Sequence, residues 1–215
     1  MPHVALAVLT LFSVGALVGS LLQAPPLAGT LLHAAAGNTA GASSLRIVES
    51  IGQVQSGRLV TLDSQTEILQ PPDRIEASQR SQLELAIGTN VYISTDGGRT
   101  WSADTTVHPN VAQDIAAVLA PLSLFRTATQ VRMSHGQTRF TFSEPAPALV
   151  GALHLNLPGP QARSTVPVTV DVRGEFVTSW STVLALGGQR YVLTEQYTGL
   201  NNVPMLVAPS LSPAP

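Results

Sequence analysis

One stretch, residues 90–101 (Asn-Val-Tyr-Ile-Ser-Thr-Asp-Gly-Gly-Arg-Thr-Trp), limits what this chain can fold into more than any other. Val91 and Ile93 alternate with Tyr92 and Ser94, the period of a β-strand. The strand runs into Asp96-Gly97-Gly98, where residues without a Cβ accept the positive φ of a tight reversal. Strand chemistry on both sides of a turn commits the segment to a hairpin. The same grammar recurs before and after it, so the expected fold is mainly β (α+β), an antiparallel sheet with one clear helix.

Upstream, residues 45–55 and 58–69 read as adjoining strands about Gly57, the second with Val60, Leu62, Thr66 and Ile68 on one parity. Pro71-Pro72-Asp73 stops it, because proline supplies no ladder N–H. Residues 74–79 and 83–87 follow, with Leu83, Leu85 and Ile87 inward and Gln82 and Glu84 outward. Downstream, residues 110–125 form the expected helix. Val111, Ile115, Val118, Leu119 and Leu122 fall at helical spacing, Asn110 with Gln113 resembles a capping box, and Pro121 should end or bend the element. A meander then resumes over 127–134, 137–143 (after a turn at His135-Gly136), 150–157 and 166–172. It continues through a hairpin at Arg173-Gly174 into 175–186, then 189–198, and closes with a short last strand at 203–207. Turns this short join neighbours antiparallel, since parallel strands need long crossovers.

Residues 4–22 are apolar apart from Ser, Thr and Gly, a run of about 19 against the roughly 20 that cross a bilayer as a helix. A cleaved secretory signal and a retained membrane anchor are both open. No Arg or Lys precedes the run, and Ala34 and Ala36 fit an A-x-A cleavage pattern. Either way the rest of the chain is expected outside the cytoplasm, periplasmic or at the cell surface. The division is then 1–23 signal or anchor, 24–44 a flexible linker rich in Ala, Gly, Pro and Ser without a periodic apolar face, 45–209 one folded domain, and 210–215 a tail.

Composition excludes several chemistries. Charged residues are 11 % of the chain and the net charge is -2, which is no footprint for nucleic acid. All basic residues are Arg, so Lys-based nucleophiles and phosphate loops are out; with no Cys, so are disulfides, thiolate catalysis and a lipid carried on cysteine. His3, His33, His108, His135 and His154 show no ligand spacing, and no metal or cofactor is expected. Ser94-x-Asp96-x-Gly98-x-Thr100-Trp101 fits the Asp-box of sialidase-like propellers, but propellers repeat it blade after blade and one copy is present here. Its expected role is structural: Asp96 accepts turn N–H bonds and Trp101 packs across the hairpin. Glu67, Asp73, Glu76, Glu84 and Asp96 offer carboxylates, which on strands and turns are usually exposed. No catalytic residues are assigned, and the protein is not expected to be an enzyme.

With these elements in place the chain resembles the extracytoplasmic lipoprotein-carrier superfamily, LolA-like and similar to the mycobacterial LppX and LprG lipoproteins. The likeness is carried by Pro72-Asp73-Arg74, Ile87-Gly88-Thr89-Asn90-Val91-Tyr92, residues 98–101, 168–174, Tyr197-Thr198-Gly199-Leu200 and 204–209. It implies a curved antiparallel half-barrel wrapped over a helix, with an apolar cavity between them that accepts acyl chains. Unlike the lipoproteins of that group, this chain has no lipid-accepting cysteine, so any tether is residues 4–22.

The candidate ligand-binding residues are Val111, Ile115, Val118, Leu119 and Leu122 on the helix, and Val168, Val170, Phe176, Trp180, Tyr191 and Tyr197 on the sheet. Phe176 and Trp180 share one strand parity, as do Tyr191 and Tyr197. The expected function is extracytoplasmic, non-catalytic binding or carrying of a lipid or other hydrophobic ligand, with membrane contact through the amino-terminal segment. The alternative is a cell-surface protein-interaction or sensor domain of the same fold with a closed core.

Overall fold

The computed structural model describes residues 22–23, 27–152, 164–186 and 188–211. Residues 4–21 of the expected signal or anchor and most of the expected 150–157 strand lie outside them. Among the described residues no helix is long and apolar enough to cross a membrane.

The described residues form one sheet of twelve strands: β1 (Leu22–Gln23), β2 (Leu45–Gln55), β3 (Arg58–Gln70), β4 (Arg74–Gln79), β5 (Gln82–Ile87), β6 (Asn90–Ser94), β7 (Ser102–Asp104), β8 (Gln130–Ser134), β9 (Gln137–Pro145), β10 (Thr165–Arg173), β11 (Phe176–Leu186) and β12 (Gln189–Thr198). Their order is β1-β8-β9-β10-β11-β12-β2-β3-β4-β5-β6-β7, and it does not close into a barrel. The chain thus makes two antiparallel meanders, β2–β7 and β8–β12, joined where β12 pairs with β2 (Tyr197 opposite Ile47, Glu195 opposite Glu49). That pairing of the two halves of the molecule is the contact of highest sequence separation in the sheet centre, and sequence order alone does not announce it.

The hairpin at 90–101 forms as its residues dictate. Gly97 and Gly98 have φ of 75° and 86°. Asp96 accepts from the Arg99 and Thr100 amides at 3.0 and 2.9 Å and from the Thr100 hydroxyl at 2.6 Å, and the Trp101 indole donates to the Gly98 carbonyl at 3.1 Å. The motif is a structural turn here.

The helix layer differs from expectation. The longest described helix is α1 (Ala28–Ala40), inside the stretch expected to be a linker. It buries Ala28, Leu32, Ala35, Ala36 and Thr39, a helical spacing of mostly small side chains set among equally apolar neighbours such as Leu31 and Ala34, which hides the face from a reading by contrast. Small residues let it approach closely: a Cβ on Gly29 would stand 2.7 Å from the Arg126 carbonyl oxygen. The Thr39 hydroxyl donates to Ala35 O at 2.9 Å and accepts from the Val177 amide at 2.9 Å, tying α1 to β11. Residues 28–40 are therefore part of the fold, and Leu22–Gln23 pairs with β8 as a sheet edge.

The expected helix at 110–125 is shorter. Asn110 caps α2 (Val111–Val118), with the Gln113 amide donating to Asn110 Oδ1 and Asn110 Nδ2 donating to Gln113 Oε1. Pro121 falls in the 3₁₀ turn Ala120–Leu124 that follows. Where a strand was expected from 150, α3 (Ala146–Ala152) forms instead, because Pro147 in its first turn suits a helix start, where an N–H has no partner to lose.

The last expected strand, 203–207, has no regular structure. It lies across the outer face of the sheet rather than at an edge, so side chains take the place of a ladder. Leu206 N donates to Gln70 Oε1 at 2.8 Å, Gln70 Nε2 donates to the Pro204 carbonyl at 2.7 Å, and Arg74 donates to the Leu206 carbonyl. Pro204 itself has no N–H to offer a neighbouring strand.

Candidate functional site

The helices stand on one face of the sheet: α1 on β11 and the 3₁₀ turn, α3 on β9, α2 against β4. Under them lies a continuous apolar core in which Val111, Ile115, Leu119, Leu122, Val168, Val170, Trp180 and Tyr197 are all buried together, with Val118 packed at its margin. Phe125 meets Phe142 and Trp180 edge-to-face at centroid distances of 5.8 and 5.9 Å. Nine of the eleven expected ligand-binding residues therefore gather at one place. Phe176 and Tyr191 are only half-buried. Phe176 fails for a local reason: the β10–β11 register shifts between Asp171 and Val172, leaving Thr178 as an extra residue, so Val177 rather than Phe176 shares the inner face with Trp180.

Polar groups also lie on this inner face. Alternation along β12 carries Leu193, Glu195 and Tyr197 inward, and the cross-strand partners bring Glu49 of β2 opposite Glu195, with Glu67 of β3 opposite Ile47. Glu195 is 3 % and Glu67 7 % exposed, while Glu49 is half-buried. Glu195 Oε2 receives the Trp180 indole N–H at 2.7 Å and the Tyr197 hydroxyl, and the Trp180 indole also reaches the Tyr197 oxygen at 3.1 Å. Glu67 Oε1 receives the Gln65 amide at 2.7 Å. The second oxygen of each carboxyl, Glu195 Oε1 and Glu67 Oε2, is buried and has no hydrogen-bond partner among the described residues.

Among the described residues no arginine answers them. Arg46 alternates onto the outer face, Arg74 is spent on the carboxy-terminal strap, and Arg139 makes a two-pronged pair with Asp171 at 2.7 and 2.8 Å on the outer face. Burial, reinforced by the neighbouring carboxylates, accordingly pushes the Glu67 and Glu195 carboxyls up to about 7, and burial pushes Tyr197 up as well. Among the described residues no three His, Asp or Glu side chains are placed to hold a metal.

A second feature is a cleft of about 310 Å³ on the outer face, between Arg46, Ile68, Glu76, Leu85 and Trp101 and the strap at 203–209. It corrects the expected orientation of β5, whose Leu85 faces this cleft; on β3 Ile68 faces the cleft too, whereas Glu67 and Leu69 face the core. Because both faces of the sheet are covered here, both parities are partly buried and the apolar count alone picks the wrong one. Sequence reasoning dismissed Glu67 as an exposed strand carboxylate and did not single out Glu49 or Glu195. The available signal was phase, since Glu195 stands in step with Leu193 and Tyr197.

No protein-family model matches the chain, and no curated protein matches it by sequence. Solved structures do match in fold. The lipoprotein LppX of Mycobacterium tuberculosis aligns over 86 % of this chain and 100 % of its own, with 16 % identity and a TM-score of 0.54. LprF of Mycobacterium bovis aligns over 88 % and 100 %, with 11 % identity and the same TM-score of 0.54. An open antiparallel sheet with helices packed on one face, matched over most of its length, gives this chain the LolA-like fold seen in the lipoprotein LppX and in LprF.

Proposed function

We propose that this protein binds a lipid or other acyl ligand outside the cytoplasm, without catalysis, taking the apolar part of the ligand between the inner face of the sheet and the helices. The observation that carries the reading is the pair of buried, partnerless oxygens, Glu195 Oε1 and Glu67 Oε2, at the centre of that face. An interior closed on itself pays about 1–3 kcal/mol for each buried polar atom left unmet, and more for a charged one. A ligand or the water it displaces would meet them. The likeness in fold to the lipoproteins LppX and LprF supports the same reading, and the apolar run at residues 4–22 supports export or anchoring at a membrane.

The test is to purify the full chain from membranes and from the soluble fraction, extract it with organic solvent and analyse the extract by mass spectrometry. Co-purified acyl lipid at near-stoichiometric amount is the expected result. A protein that comes out empty and also fails to bind a fluorescent fatty acid rejects the reading.

A second reading, an interaction domain with a closed core, draws on the edge-to-face packing of Phe125, Phe142 and Trp180, each at most 1 % exposed. A stoichiometric protein partner retained on purification, with no lipid, favours it.

A further inference from the structure

The carboxyl group is costly to bury, and this protein buries two on one face beside a third with no basic partner among the described residues. Cross-strand geometry puts the Glu49 Cβ about 5 Å from that of Glu195, directly opposite, and about 7 Å from that of Glu67, on the diagonal. Among the described residues the hydrogen bonds that reach the two buried carboxyls come from neutral donors, Gln65, Trp180 and Tyr197, and each serves one oxygen of its carboxyl while the other oxygen stays unmet.

Stability alone gives no reason to retain such an arrangement, since an apolar residue of similar size at either position removes the desolvation penalty. The chemistry of the acceptors narrows what they await. An anionic headgroup, phosphate or carboxylate, is repelled. Among the described residues a metal ion lacks a suitably arranged set of ligands. A hydroxyl satisfies one oxygen and leaves the charge. A protonated amine offers three donors on one compact cation and answers an unpartnered carboxyl oxygen while offsetting its charge.

We propose that Glu67 and Glu195, with Glu49 beside them, form a subsite for the amine-bearing end of the ligand, which makes the preferred ligand class a cationic amino-lipid or alkylamine rather than a fatty acid or a phospholipid of net negative charge. The inference rests on the acyl-binding reading above and adds to it the identity of the polar end. Trp180 and Tyr197 act as positioning residues, holding Glu195 by one oxygen so that the other faces inward.

Isothermal titration of the full chain with decylamine, decanol and decanoate, each below its micelle concentration, tests it. The measurement is made at about pH 8.5, where the carboxyls are ionised and an alkylamine, like lysine, is still protonated. Decylamine is expected to bind at least about tenfold more tightly than either of the others. Glu67→Gln, whose side chain touches only Gln65 among the bonds described, is expected to reduce decylamine affinity about tenfold, and Glu175→Gln at the exposed β10–β11 turn to leave it alone. Glu195→Gln gives a second reading of the same site, and melting curves of each variant separate lost binding from lost folding. Equal affinity for all three compounds overturns the amine subsite while the acyl-binding reading stands. Binding of none of them overturns both.

Discussion

Trp180 and Glu195 face each other across the β11–β12 pair, and the buried indole N–H donates to the carboxyl at 2.7 Å. The bond orients a carboxyl that burial holds at about 7, against the ordinary 4.5, and Glu67 is held at the same level nearby. Groups raised in the folded state favour folding below their unfolded value and lose that contribution as pH rises. The ligand-free protein is therefore expected to lose stability between about pH 4.5 and 7, on the order of 1–3 kcal/mol for each carboxyl. Thermal melts across that range check it, with Glu49 and Tyr197 as the other titrating groups on the same face. Glu195→Gln and Glu67→Gln should each flatten the curve; an unchanged slope in both variants rejects the assignment.

α1 is part of the domain rather than a tether, and Leu32, with no exposed surface, is its largest fully buried residue. Leu32→Ala is expected to destabilise the protein by about 2–5 kcal/mol. Gly29→Ala should also destabilise, because the added Cβ meets a backbone oxygen that cannot rotate away. Denaturant unfolding measures both. If Leu32→Ala unfolds like the parent, the helix is not docked.

The carboxy-terminal strap hangs on Gln70, which both donates to Pro204 O and accepts from Leu206 N. Gln70→Ala should leave the sheet intact and release the strap. Hydrogen exchange followed by mass spectrometry is expected to show the Leu206 amide exchanging roughly tenfold faster, with β2 and β12 unaffected. Exchange at the parental rate means that Arg74 and the apolar contacts hold the strap without Gln70.

Asp96 takes hydrogen bonds from the Thr100 hydroxyl and amide and from Ser94, which hold its carboxyl well below the ordinary 3.8. A lowered folded-state value stabilises above the unfolded one and is lost on acidification, opposite in sign to Glu195. Asp96→Asn is expected to lower Tm at neutral pH and to make the decline below about pH 3.8 shallower. A variant with the parental melting profile at every pH shows that the turn closes without the carboxylate.

Local rules carried far into this fold. β2, β4 and β12 run over the residues that alternation and turn signals marked out, and the Asp96 turn and the Asn110 cap formed as their side chains require. The failures have physical causes. α1 hides its buried face in alanine-rich surroundings, Pro147 starts a helix where Val150 suggested a strand, and a one-residue bulge reverses the face of Phe176.

The candidate site was legible by half. Its apolar wall, from Val111 to Tyr197, could be named from helical and strand periodicity because burying apolar area is a property of each element taken alone. Its carboxylates could not, because burial of Glu67 and Glu195 is decided by what covers them. Sequence determined the strands, their turns and the absence of cysteine and lysine chemistry, all of which depend on residues close together in the chain or on composition. Tertiary structure alone decided that β12 would lie against β2, bringing Glu195 opposite Glu49 across a separation of 146 residues, and that α1 would pack on β11 and the 3₁₀ turn. Pairing of distant segments is a choice among many registers of similar local merit, and only the packed whole selects one.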